Sequence, residues 1–234
     1  GNWHVTIFRM LPKSGDLSNV NNWRPIAVLP ILYKIFSKLI YFRIGPILEK
    51  AQSNDQFGFR KDRRIHDVLG IFENLVGKTS EWNLPIWIAS LDLRKAFDRI
   101  LHEPLFKTLR LHQAPEGYIH LLMVLYQNQK GSVDGKQFFD IGRGVKQGDT
   151  LSAMLFNVAI EEAFCRWKLK LSSEGFLLKE NCCRFTNVRY ADDILLFAKS
   201  REWLQQMMVA LIEEVSGRAV SYTHLRAHET DSYL

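Results

Sequence analysis

The stretch Arg189–Ser200, RYADDILLFAKS, sets Asp192 and Asp193 side by side between a β-prone approach, Asn187-Val188-Arg189-Tyr190, and an apolar exit, Ile194-Leu195-Leu196-Phe197. Two strands joined by a tight turn are the natural reading of that pattern. Such turns ordinarily carry asparagine or glycine, whose backbones tolerate the geometry. Two adjacent carboxylates are a costly substitute: at about 4 Å and an effective dielectric of about 20, like charges repel by roughly 4 kcal/mol. A divalent cation would offset that repulsion, and its other ligands must then come from elsewhere in the chain.

Asp92 is the first candidate. It lies near the end of Trp87–Leu93, WIASLDL, an apolar run of the length of a buried strand. A carboxylate on a buried strand costs several kcal/mol unless it is paired or metal-bound. The alternative is an acid just past the strand end that accepts backbone hydrogen bonds. Taken together, Asp92, Asp192 and Asp193 supply the oxygen ligands that two Mg²⁺ ions about 4 Å apart require in two-metal phosphoryl transfer.

Length and composition frame this reading. The 234 residues, 47% hydrophobic and 24% charged, suffice for one large domain or two small ones around a packed core. Residues 1–70 hold eleven Lys/Arg against five Asp/Glu, and the rest holds twenty of each, so the net charge of +6 resides in the first 70 residues. A region that basic points to a polyanion such as nucleic acid or nucleotide phosphate, or else to a solvated basic face. The three cysteines, Cys165, Cys182 and Cys183, include no C-x-x-C pair. That argues for a reduced, intracellular protein, nuclear or cytoplasmic, without a zinc knuckle or disulfide framework. GNWHVTIFRM lacks the pattern of a secretory signal, and no apolar run approaches the ~20 residues of a membrane span, so neither secretion nor a membrane is expected.

The coarse order of elements follows from periodicity and punctuation. Leu11–Asn22 reads as a polar loop. Ile31, Ile35, Leu39 and Ile40 recur at helical spacing, giving an amphipathic helix expected to end near Gly45-Pro46. Ile65–Val76 is a second helix, with Ile65, Val68, Leu69, Phe72 and Val76 on one side. Glu103–Tyr126 is mostly helical, interrupted at Pro115-Glu116-Gly117, with Pro104 near its first position. Asp134-Gly135 marks a hairpin turn, Thr150–Trp167 a long helix, Arg184–Ala198 the acidic hairpin and Glu202–Val215 a last helix. Helices interleaved with mostly non-consecutive strands point to an α+β class, or to a sheet with helices on one face.

LDLRKAFD, GVKQGDTLSAMLFN and YADD, in that order, resemble the A, B and C motifs of reverse transcriptases, and of the non-long-terminal-repeat (LINE-type) retrotransposons in particular. LPKSGD, NNWRPIAVLPILYKIFSKLI and QFGFRKDRR resemble the finger-region motifs of the same family. The resemblance runs from about Phe8 to Gly217. It implies the fingers and palm of a right-hand polymerase, with an antiparallel palm sheet backed by helices. Fingers are expected over 1–85 with part of 103–148, and the palm over 86–217.

The resemblance also assigns roles. Asp92 and Asp192 match the principal metal ligands, and Asp193 the third active-site acid, for two Mg²⁺ ions or their Mn²⁺ substitutes. Phe97 matches the aromatic gate beneath the incoming sugar; the other reading of it is a core aromatic. Gln147 and Gly148 match the segment facing nucleotide and template, and Asp149 caps the helix that follows. Arg60 and Lys61 would meet the triphosphate, or form a solvated cluster with Arg63 and Arg64. Tyr190 would pack beside the primer end, and Arg24 and Lys13 would contact template backbone. Asp98 is read as capping the turn after the first motif. The implied partners are an RNA template, a DNA primer and deoxynucleoside triphosphates.

Three departures qualify the match. Thr150 and Ala153 stand where the family has prolines. Residues from about 220, reading VSYTHLRAHETDSYL, look like adapter-derived read-through, so 218–234 is expected to be a non-native tail; His224 and His228 within it are spaced i, i+4, but no glutamate stands beside the first, and they are not read as a metal site. The chain is expected to stop before the thumb. Group II intron or retron reverse transcriptases, and a thumbless nucleic-acid-binding remnant, are the alternative readings.

Overall fold

The computed structural model describes residues 3–93, 95–171, 175–177, 184–216 and 219, and the backbone of 225–230. The chain divides into two units, one formed by Gly1–Ala51 and Phe97–Ala159, the other by Gln52–Ala96 and Ile160–Leu234. These limits differ from the expected fingers and palm boundaries, because residues 52–85 associate with the acidic hairpin rather than with the basic N-terminal segment. The reason is visible in the second unit, where apolar side chains of 57–76 share a core with that hairpin.

In the first unit, β1 (Val5–Pro12) pairs antiparallel with β2 (Trp23–Val28) and parallel with β4 (Gln129–Ser132), which continues antiparallel to β5 (Phe139–Ile141). The sheet order is β2-β1-β4-β5. Asp134 anchors the β4–β5 connection, its Oδ1 accepting from the backbone amides of Lys136 and Gln137. Gly135 supplies the positive φ of +75° expected there.

Helix α1 (Ile31–Lys50) does not stop at Gly45-Pro46. Ile44 and Leu48, on either side of Pro46, are both fully buried, and that burial outweighs the single backbone hydrogen bond a proline forgoes. The helix has two apolar faces. Tyr33, Ser37, Ile40, Ile44 and Leu48 are buried, whereas Ile31, Ile35, Leu39 and Phe42 are exposed. Of the four periodic positions read from sequence, only Ile40 is in the core. Helices α4 (His102–Leu111) and α5 (Glu116–Tyr126) follow a short turn, α3 (Ala96–Arg99), and break where Pro115 is predicted to break them.

The second unit is built on the sheet order β6-β7-β3-β8, antiparallel throughout: β3 (Trp87–Leu93), β6 (Asn187–Tyr190), β7 (Asp193–Ala198) and β8 (Leu225–Thr230). Helix α2 (Ile65–Glu81) lays Val68 and Leu75 into a cluster with Phe57, Ile86, Ile88, Phe176, Val188 and Phe197. Ile65 and Leu69, expected on the same apolar side, are exposed. Helix α7 (Arg201–Val215) is capped by Ser200, whose Oγ accepts from the Trp203 amide at 3.3 Å, and packs on β7 and β3. The long helix α6 (Thr150–Lys170) contributes to both units; in the second, Trp167 is fully buried and donates its indole N–H to the Met207 carbonyl at 2.9 Å. Apart from Ala219 and the β8 backbone, the tail from 218 onward lies outside the described residues, as do Cys182 and Cys183. Among the described residues no helix is long and apolar enough to cross a membrane.

Candidate active site

The β6–β7 hairpin pairs Tyr190 with Asp193, leaving Ala191 and Asp192 as its two-residue connection. Ala191 takes φ +59°, a position where glycine is usual. Strand β7 then runs along β3 in a register that makes Asp92 and Asp193 Cα partners. Directly opposed residues of an antiparallel pair hold their Cβ atoms roughly 5 Å apart. Two acids remote in sequence are therefore neighbours, as the metal-ligand reading requires.

Strand β3 also changes how Asp92 is understood. Its second half alternates, with Leu91 and Leu93 buried and Ser90 and Asp92 exposed. The carboxylate does not meet the desolvation cost of a buried strand because the pleat turns it outward. Asp193 is also exposed, yet partial burial and, secondarily, the Asp92 charge push its carboxyl above the usual range. Asp192 is half-buried.

The turn is held by residues that sequence reasoning missed. Gln56 is fully buried; its Oε1 accepts from the amides of Gly58 (2.9 Å) and Ala191 (3.0 Å), and its Nε2 donates to the Ala191 carbonyl (3.3 Å). The backbone alongside is stitched by Arg189 N–H to the Asp55 carbonyl (2.7 Å) and Phe57 N–H to the Arg189 carbonyl (2.8 Å). A Cβ on Gly58 would land on the Ala191 amide nitrogen. The Arg189 side chain, fully buried, donates to Glu161 Oε2 (2.9 Å) and Ser53 Oγ (2.6 Å) and lies 4.0 Å from the centroid of the Phe164 ring. Glu161, 1% exposed, also accepts from the Ser53 amide. The only signal for this pair in the sequence is a charge inside each of two apolar stretches, NVRY and VAIEEAF.

The basic residues of QFGFRKDRR are placed differently from a free charge cluster. Arg60 Nη1 donates to the carbonyls of Ser53 (2.5 Å) and Gln56 (3.1 Å), ordering its own loop. Arg63 stacks over Phe57 at 5.0 Å and bonds Asn54. Lys61 and Arg64 are exposed. Tyr190 is half-buried beside the second unit's core cluster.

The remaining candidates lie in the first unit. Phe97 is half-buried and stacked on Phe156, centroids 4.8 Å apart and planes 10° from parallel, and its carbonyl accepts from Val145. The Gln147 carbonyl accepts from Ala27 at 3.0 Å, and Gly148 takes φ +111°, which excludes side-chain-bearing residues without strain. Asp149 accepts from the Leu151 amide at the start of α6, as a cap should, and from Ser37 Oγ at 2.6 Å. Its burial raises its carboxyl, while the Ser37 and Leu151 hydrogen bonds and nearby Lys146 pull the other way. Arg24 on β2 and Lys13 are exposed.

Among the described residues no three or more His, Cys, Asp or Glu side chains come close enough to enclose an ion unaided. The expected three-acid cage is thus not closed by side chains alone, consistent with the mutual repulsion of three carboxylates. The donor set, all carboxylate oxygen and partly exposed, still fits a hard divalent cation that takes further ligands from substrate phosphates. Reverse transcriptases in general use divalent metal ions.

The fold is the α+β arrangement shared with reverse transcriptases of known structure. It matches telomerase from Candida albicans, solved in complex with a fragment of telomeric RNA, with a TM-score of 0.65 at 14% identity, covering 97% of this chain and 41% of that one. Residues 11–221 match the family described as Reverse transcriptase (RNA-dependent DNA polymerase), and the chain belongs to that family. The Transposon TX1 uncharacterized 149 kDa protein of Xenopus laevis is 33% identical over 197 residues, 82% of this chain and 15% of that protein. The RNA-directed DNA polymerase from mobile element jockey of Drosophila melanogaster is 29% identical over 210 residues, 86% of this chain and 22% of that protein. The chain therefore spans a minor part of the length of the curated relatives it matches.

Proposed function

We propose that this chain is the catalytic portion of a non-long-terminal-repeat retrotransposon's RNA-directed DNA polymerase, joining deoxynucleotides to a primer 3′-hydroxyl on an RNA template. The observation that carries this reading is the register of β3 on β7, which sets Asp92 against Asp193 next to the turn bearing Asp192. Few structural needs call for three acids at one sheet end; a phosphoryl-transfer site does.

Asp92, Asp192 and Asp193 would hold two Mg²⁺ ions, or Mn²⁺, which when bound supply charge neutralisation and a more acidic hydroxyl. The protein's own contribution is position. The β3–β7 ladder fixes where the two facing carboxylates stand, and the Gln56-pinned turn fixes the third. Tyr190, preceding the turn, would rest beside the primer end. Lys61, and Arg60 insofar as its loop leaves it donors, would meet the triphosphate. Phe97, Gln147 and Gly148 would face the nucleotide, and Arg24 and Lys13 the template backbone. Catalysis by positioning and electrostatics demands little covalent chemistry from side chains.

The test is primer extension on an RNA template by the chain and by Asp192→Ala, beside a filter-binding measurement with the same RNA. Extension lost with RNA retention intact supports the assignment. Equal extension by both proteins overturns it.

A further inference from the structure

The acidic turn is under two stresses. Ala191 occupies the left-handed region, which costs a non-glycine residue roughly 1 kcal/mol. Asp193 stands directly opposite Asp92 across the ladder, and like charges so opposed favour separation. A turn so loaded keeps one shape only if its surroundings over-determine it.

Those surroundings converge on one side chain. The Gln56 amide engages both the N–H and the C=O of Ala191, the two backbone groups that bracket the strained φ, and turns its own loop back through Gly58. The Ala191 carbonyl belongs to the peptide that begins Asp192, so fixing it fixes the direction in which Asp192 leaves the turn. Gln56 is fully buried, hence its hydrogen bonds face no competition from water. Gly58 permits the approach, since any side chain there would collide with Ala191 N and lie 2.8 Å from its Cα.

We propose that Gln56 is a positioning residue for the acidic doublet: through paired hydrogen bonds to Ala191 it holds the turn in the conformation that sets Asp193 opposite Asp92 and carries Asp192 in the connection next to it. The catalytic consequence rests on the polymerase reading; the mechanical statement does not. Gln56 touches no substrate and acts through the turn. Arg189, locked on Glu161, Ser53 and Phe164, is the base on which the clamp stands.

The experiment is hydrogen–deuterium exchange on the chain and on three variants, with primer extension at varied Mg²⁺ run in parallel. Gln56→Met preserves side-chain volume and removes both hydrogen-bonding functions. Gly58→Ala displaces the turn by contact instead. Leu75→Ala, in the core cluster but remote from the turn, reports what general destabilisation does. The expected result is exchange in 187–194 accelerated about tenfold by Gln56→Met and by Gly58→Ala, with the β3 and α2 amides unchanged, whereas Leu75→Ala loosens the unit evenly. Extension by the two turn variants should need several-fold more Mg²⁺ for half-maximal rate, with the nucleotide KM little altered. Turn protection equal to that of the parent chain, or loosening that merely parallels Leu75→Ala, overturns the proposal. If Gln56→Met frees the turn selectively while extension and its Mg²⁺ requirement match those of the parent chain, the clamp stands and its catalytic consequence falls.

Discussion

Asp92 on β3 stands directly opposite Asp193 on β7, two carboxylates paired across a sheet where opposite charges or apolar contacts would be more stable. The fold gives up stability there, as the proposed metal site requires. Asp193→Asn should therefore raise the unfolding free energy by about 0.2–1 kcal/mol at neutral pH without added metal, while abolishing primer extension. The pH dependence has a definite sign. The folded carboxyl of Asp193 is raised, so this group's contribution to stability is fully present below the unfolded pKa and is lost as pH rises through the folded one. In urea titrations of both proteins across that range, the stability advantage of Asp193→Asn over the parent chain should widen as pH rises.

The Arg189–Glu161 pair is buried on both sides, at 0% and 1% exposure. Removing one partner leaves an uncompensated charge in the core, and Arg189→Met or Glu161→Leu alone should cost about 3–5 kcal/mol. The double variant should recover much of that loss, because each apolar side chain then meets the other and the Phe164 ring. Arg189 strengthens this expectation: among the described residues its buried Nε and Nη1 find no hydrogen-bond partner, so part of its desolvation is already uncompensated. A double-mutant cycle by chemical denaturation checks it; additive losses would show that the charges do not act as a pair.

Lys146 gives a second pH signature, in the other unit. Its Nζ sits 4.2 Å from the centroid of the Tyr33 ring and donates to the Trp3 carbonyl at 3.3 Å. Burial brings its pKa from 10.5 down to about 8, with Asp149 opposing the shift. In that window the unfolded chain binds more protons than the folded one, so this group's contribution to stability grows as pH rises from about 8 towards 10.5 and is lost on the way back. Lys146→Met should flatten that slope in a series of denaturation midpoints.

The two apolar faces of α1 should respond oppositely to the same change. Ile44→Lys puts a charge into a fully buried position and should cost more than about 3 kcal/mol. Ile35→Lys, on the exposed face, should move stability by less than about 0.5 kcal/mol. It should also reduce self-association in sedimentation measurements, since a stripe of Ile31, Ile35, Leu39 and Phe42 is a sticky surface.

Much of this was legible in the chain itself. The run WIASLDL is β3 to the residue, and the acidic doublet lies at the hairpin foreseen for it, because strand length and turn position are local properties. The helices over 65–81, 102–126, 150–170 and 201–215 follow from periodicity with small changes at their ends. β1 and β2 were missed: Pro12 and Pro25 and the polar loop between the strands speak against a sheet, yet Pro25 is accommodated where β2 forms one border of the sheet order. The α1 pattern misled for a different reason. Apolar residues occur on both sides, so spacing alone could not tell which face is buried. Least visible was the support of the site. Gln56 reaches Ala191 by side chain to backbone across 135 positions, a contact that leaves no period or composition to read.

The close approach of Gly58 to Ala191 has an evolutionary corollary. Loop and turn interlock so tightly that neither position is free to drift by itself: a larger residue at 58 demands a displaced hairpin, and a displaced hairpin carries the acids away from Asp92. Lineages of this chain that keep their chemistry should therefore inherit the two positions together.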